Sequence, residues 1–209
     1  CSQTVSLLEM TRWRGQIKAA MEYLVMGTGP LSHYPTDATA FLKSDPDLDR
    51  PDIHFYLAPF LRERAGSSVG ARGMTRHGYC ISWCQLRPQS RGSVKLRSAD
   101  PFAPPRVVHN YLAAEVDRVC HRRAVAMARE LHEQPAFSPY RSEELDPGQG
   151  CDTPGKVDQY IRETCHTHFH PVGTAAMGKD DMAVVDDKLN VHGIEDLLVV
   201  DASIMPRIV

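Results

Sequence analysis

Apolar residues recur every three to four positions in three stretches of the chain, and each period predicts a helix. Thr11–Met26 places Trp13, Ile17, Ala20, Met21 and Leu24 at helical spacing and stops at Gly27. Glu115–His132 carries one stripe of Val116, Val119, Cys120, Ala124, Met127 and Leu131. Glu115 and Asp117 open it, where the helix dipole favours acids, and Gln134-Pro135 ends it. Thr153 as N-cap and Pro154 at the first helical position begin a third helix through Thr164, with Val157, Tyr160 and Ile161 inward.

Other stretches alternate with period two and predict strands. Asp52–Pro59 reads as one, closed by its proline. Gly78–Leu86 sets Tyr79, Ile81 and Trp83 against Cys80, Ser82 and Cys84, and Gly92–Arg97 sets Val94 and Leu96 against Ser93, Lys95 and Arg97. The intervening Arg87-Pro-Gln-Ser-Arg-Gly fits the turn of an antiparallel pair, and Arg106–His109 is a short further strand. Leu42–Pro51 is polar with turn signals at Asp45-Pro46 and Arg50-Pro51. Arg62–Arg76 has no period and is expected to be a surface loop, long for a compact domain and of a kind that is often functional. Leu197–Val200 is different: a continuous apolar run that stops at Asp201. Such a run reads as a strand of a parallel sheet, buried on both faces, with ligands bound beyond its carboxyl end.

Composition narrows the class. At 209 residues the chain is long enough for a sizeable core, and 42% hydrophobic with 24% charged residues is typical of a globular protein. A net charge of -2 gives no reason to expect nucleic acid as a partner. No apolar run approaches a membrane span, and the first residues do not form a signal peptide. The six cysteines are scattered among apolar residues and are expected to be reduced thiols. Arg87, Arg91, Lys95 and Arg97 are read as a solvated strand face rather than a phosphate patch.

His166, His168 and His170 alternate, and on a strand they would share one face. Imidazoles suit zinc, copper or iron, but three on one short strand splay apart and no nearby Cys or carboxylate completes a shell, so no metal is assigned. His170 precedes Pro171, which favours extended backbone, and Gly173 and Gly178 allow tight turns.

The segment His170-Pro-Val-Gly-Thr-Ala-Ala-Met-Gly178, followed by Val199-Val-Asp-Ala-Ser-Ile-Met-Pro206, resembles the C-terminal signature of the glucose-methanol-choline (GMC) flavoprotein oxidoreductases. Leu86–Pro101, Asn110-Tyr-Leu and Gln134-Pro-Ala-Phe are also similar, in the choline dehydrogenase-like and alcohol dehydrogenase-like branch. The resemblance implies an α+β fold: an antiparallel-sheet substrate-binding domain with helices on one face over residues 1–165. Residues 166–209 would then hold the active-site histidine segment and the return to an α/β FAD-binding domain. It implies FAD as cofactor, His170 as the base that takes the hydroxyl proton, and Asp201 and Ala202 as FAD contacts; His166 and His168 are given supporting or structural roles.

The reaction implied is oxidation of a primary alcohol, choline or similar, to the aldehyde, with quinone or oxygen as electron acceptor. The implied location is cytoplasmic, with peripheral association with the inner membrane admitted. A FAD-containing hydroxynitrile lyase on the same fold and a non-catalytic metal-binding domain are the alternatives. The chain has no G-x-G-x-x-G and stops before the family's second catalytic residue, and is therefore expected to be a C-terminal fragment.

Overall fold

The computed structural model of the chain describes residues 6–32, 34, 36, 38–61 and 76–209. Its elements are α1 (Trp13–Met26), β1 (Ala38–Leu42), β2 (Ile53–Ala58), β3 (Cys80–Gln85), β4 (Ser93–Lys95), β5 (Arg106–Val108), α2 (Glu115–Glu133) and α3 (Pro154–Thr164). Short 3-10 turns add Leu7–Thr11, Pro135–Phe137 and Ala202–Ile204. The fold is α+β, and every named strand pair is antiparallel. Two compact units divide the chain: Cys1–Gln85 with Arg118–His166, and Leu86–Asp117 with Thr167–Val209.

The first unit is built on the sheet β1-β2-β3, with Leu42 opposite Ile53 and Phe55 opposite Trp83. Alternation along β2 buries Ile53 (0% exposed) and Phe55 (3%) against Cys120 and Ala124 of α2. Ala40, Ile81, Trp83, Met127 and Ala128 close the edges of this core. Burying Ile53 and Phe55 contributes about 1.5–3 kcal/mol each. Asp52 holds the turn between β1 and β2 shut, accepting from the Ser44 N–H and hydroxyl at 2.6 Å each. Arg122 of α2 grips the Asp158 carboxylate of α3 with two parallel bonds, Nη2 to Oδ2 at 2.6 Å, and holds that carboxyl below its usual range. As expected, Thr153 caps α3, accepting from the Lys156 N–H, and Ile161 is buried.

Several expectations need correction. β1 has no counterpart in the sequence reading. β3 pairs with β2 rather than β4, and β4 pairs with β5. The physical reason lies in residues 88–90, which make no hairpin turn because their donors are engaged elsewhere. The N–H groups of Gln89 and Ser90 donate to the Asp117 carboxylate at 2.8 and 2.7 Å, and the Ser90 hydroxyl donates to it at 2.5 Å. Ser90 Oγ in turn accepts from the Ala114 N–H at 3.0 Å. Asp117 is thereby 2% exposed while Val116 is 55% exposed, so the inward face of α2 starts one residue later than its apolar stripe. Removing the carboxylate leaves three donors unmatched. Asp117→Ala is expected to cost about 3 kcal/mol, read as a lowered denaturant midpoint, with Asp117→Asn milder.

The face of α1 is also reversed. Trp13, Ile17, Met21 and Leu24 are 66%, 55%, 56% and 77% exposed, whereas Ala19 is 3% exposed. Gly15 explains the choice: a Cβ there would stand 2.0 Å from the Glu9 carbonyl oxygen, so the small-residue side lies against the preceding 3-10 turn. Of the loop expected at Arg62–Arg76, all but Arg76 lies outside the described residues.

In the second unit, β4 and β5 form an exposed hairpin. Its approach requires Gly92, where a Cβ would lie 2.2 Å from the Val108 carbonyl oxygen. Residues 173–199 fold on themselves through isolated bridges around the fully buried Val185. Leu197–Val200 is not a sheet strand here. It makes one bridge, Asn190 to Leu198, and Leu197, Leu198 and Val200 are 46%, 54% and 72% exposed, because no neighbouring strand among the described residues covers them. Among the described residues, Cys80, Cys84, Cys120, Cys151 and Cys165 are not in disulfides.

Candidate active site

The two sequence motifs run side by side in the second unit. The N–H groups of Gly173 and Ala175 both donate to the Ser203 carbonyl, at 3.1 and 3.0 Å, and the Met177 N–H donates to the Ile204 carbonyl at 2.8 Å. Gly173 sits at φ +87°, the left-handed region that a side chain resists, so the turn after His170-Pro171 depends on glycine at this position. His170 is exposed three residues before the first rung of this ladder, and Asp201 and Ala202 directly precede Ser203 on the partner segment.

Asp201 caps the turn Ala202–Ile204, its Oδ1 accepting from the Ser203 N–H at 2.7 Å. The Ser203 hydroxyl, then its N–H, hold the Asp201 carboxyl below the usual carboxylate range. The carboxylate is exposed and can accept from a further donor such as a sugar or ribityl hydroxyl. A carboxylate acceptor beside the small Ala202 therefore fits the hydroxyl-bearing part of a dinucleotide. The phosphate-cradling glycine turn is not on these residues.

The three histidines do not share a strand. Phe169 turns the backbone at φ +62°, and its N–H donates to Thr167 Oγ1 at 2.9 Å. The rings of His168 and His170 meet edge to face, 5.2 Å apart at 88°. No group of three or more His, Cys, Asp or Glu side chains among the described residues is arranged to hold a metal ion.

Sequence reasoning passed over a second cluster, on the first unit. His54 and Tyr56 face away from the core side of β2, a placement the period-two pattern already contains. The His54 ring stacks on Phe41 at 4.1 Å and lies 4.0 Å from the Tyr56 ring. Tyr56 Oη is 2.7 Å from His54 Nδ1 and 3.7 Å from Cys84 Sγ. His54 Nε2 is buried with no hydrogen-bond partner. Burial depresses the basicity of His54, and it raises the Tyr56 hydroxyl and the Cys84 thiol, so all three stay neutral.

Because the fold favours neutral His54, its contribution to stability is complete above the unfolded histidine value of about 6.5 and is lost as pH falls below it. Melting temperatures recorded from about pH 8 to about pH 5 are expected to fall more steeply for the parent than for His54→Gln. Parallel curves would remove this role.

A family model described as GMC oxidoreductase matches residues 88–209. Over all 209 residues the chain is 39% identical to an oxygen-dependent choline dehydrogenase of Proteus mirabilis (strain HI4320) and 37% identical to one of Acinetobacter baumannii (strain AYE), covering 37% of each. Among solved structures, pyridoxine 4-oxidase from Mesorbium loti is 29% identical with a TM-score of 0.71, over 83% of this chain and 34% of that one. Formate oxidase shares the fold at 22% identity, with a TM-score of 0.79 over 94% of this chain and 38% of that one. The chain thus spans 37% of the length of the curated relatives it matches.

Proposed function

The chain belongs to the GMC oxidoreductase family, and on that premise we propose that it forms part of an FAD-dependent enzyme oxidising a primary alcohol, choline or a close analogue, to the aldehyde. The observation that supports this reading is the ladder of backbone bonds from residues 173–177 to residues 203–204, which joins the segment following His170 to the segment following Asp201 and Ala202. The relatives named as choline dehydrogenases support the substrate class.

Oxidising an alcohol requires the hydroxyl proton to leave as the carbon gives up hydride; otherwise the forming carbonyl carries a large charge cost. His170 is the acceptor of that proton at one of its imidazole nitrogens, since histidine can take a proton near neutral pH. Pro171 and Gly173 fix the backbone from which the ring projects. Asp201 would hold a cofactor hydroxyl, and the Ala202 backbone N–H would face the pyrophosphate. FAD, when bound, supplies the hydride acceptor.

In this reading residues 1–165 serve substrate binding, and residues 166–209 carry the histidine and the return to the cofactor. The division is one of role, since the compact unit that holds 167–209 also holds 86–117. Oxygen or a quinone would serve as the electron acceptor. No helix among the described residues is long and apolar enough to cross a membrane; cytoplasmic placement with peripheral attachment to the inner membrane is part of the proposal, tested by salt extraction of washed membranes. Anaerobic mixing of the full-length enzyme with choline or other primary alcohols tests the central claim. Bleaching of the flavin absorbance supports it. A flavin left oxidised by every primary alcohol would sink it and favour non-redox chemistry on the same fold.

A further inference from the structure

The geometry points to His168 as the positioning residue for His170, holding its imidazole through a ring-to-ring contact. The inference rests on the reading of His170 as the base. Both rings are exposed, and among the described residues the His170 ring makes no hydrogen bond; what it meets is the His168 ring, 5.2 Å away and at 88°. An exposed imidazole without such a neighbour turns freely about its two side-chain torsions. Edge-to-face packing restrains it, because the positive ring edge of one partner meets the negative face of the other.

The backbone is shaped to produce this contact. In a plain strand the two side chains would run parallel and splay. Phe169 instead sits at φ +62°, a conformation a bulky residue adopts only under constraint, and Thr167 Oγ1 secures it by accepting the Phe169 N–H at 2.9 Å. Pro171 restricts the other side of His170. The turn is therefore built to deliver one imidazole against the next, and a general base gains most from being held in its productive orientation.

The test uses the full-length flavoenzyme, comparing His168→Ala and His168→Phe with the parent, and His170→Ala as reference. In His168→Ala the rate of anaerobic flavin reduction by choline is expected to fall about tenfold, with KM changed less than about twofold and flavin content and melting temperature retained. His168→Phe keeps a flat ring at the contact and is expected to stay within about threefold of the parent. An unchanged rate in His168→Ala overturns the inference, and so does His168→Phe falling as far as His168→Ala, or a loss explained by missing flavin. Failure of the base reading would look different: His170→Ala itself would reduce flavin at the parental rate.

Discussion

Alanine at position 170 is expected to lower kcat of the full-length flavoenzyme about 10²–10⁴-fold, the range typical when a general base is lost. The flavin should remain bound, because His170 is exposed at the head of the loop and the hydrogen bonds that order the ladder come from Gly173, Ala175 and Met177 backbone groups. The loss should fall on kcat and on kcat/KM together, the signature of an interaction made in the transition state. Raising the pH should recover part of the activity of the variant, since the alcohol then needs less help to shed its proton. Undiminished turnover in His170→Ala with flavin in place would take this residue out of the mechanism.

Expressed as these 209 residues alone, the chain is expected to accumulate as aggregate and to carry no stoichiometric FAD. Trp13, Ile17, Met21 and Leu24 form an uncovered apolar helix face, and Leu197, Leu198 and Val200 form a second uncovered run. Apolar surface of this extent promotes self-association. The chain also lacks the glycine-rich turn that cradles a dinucleotide. Fusion or co-expression with the N-terminal part of a relative should move the protein to the soluble fraction and colour it yellow. A soluble, monomeric, yellow 209-residue protein would refute both halves of this expectation.

What could be read from the residues depended on how local the cause was. The limits of α2 and α3 follow from caps and prolines within the same turn of chain, so they were legible to a residue or so. Which face of α1 turns inward was not, because the decision is made by a close approach at Gly15 rather than by the apolar stripe. The pairing of β3 failed for a related reason. Arg87–Gly92 has the composition of a turn, but its donors are claimed by Asp117, 27 and 28 residues further on. β1 escaped because Ala38-Thr-Ala-Phe-Leu is short and mixed, and it becomes a strand by pairing with β2.

At the candidate site, the resemblance singled out His170, Asp201 and Ala202, while the capping role open to Asp201 is a matter of local chemistry and is present in the fold. The contact of His168 with His170 could not be foreseen, since it depends on a left-handed Phe169 that no pattern of polar and apolar residues announces. His54 was visible as an outward residue of β2; that one of its nitrogens is buried and unmatched was not.

The Asp117–Ser90 linkage has an evolutionary consequence. A buried carboxylate that answers three donors cannot be exchanged by one mutation without stranding the groups it served, and two of those groups are backbone N–H donors that persist whatever side chain stands at position 90. Position 117 is therefore held to a side chain that can accept, with no compensating change open at position 90, whereas replacing Ser90 forfeits only the hydroxyl that donates to Asp117 and accepts from the Ala114 N–H.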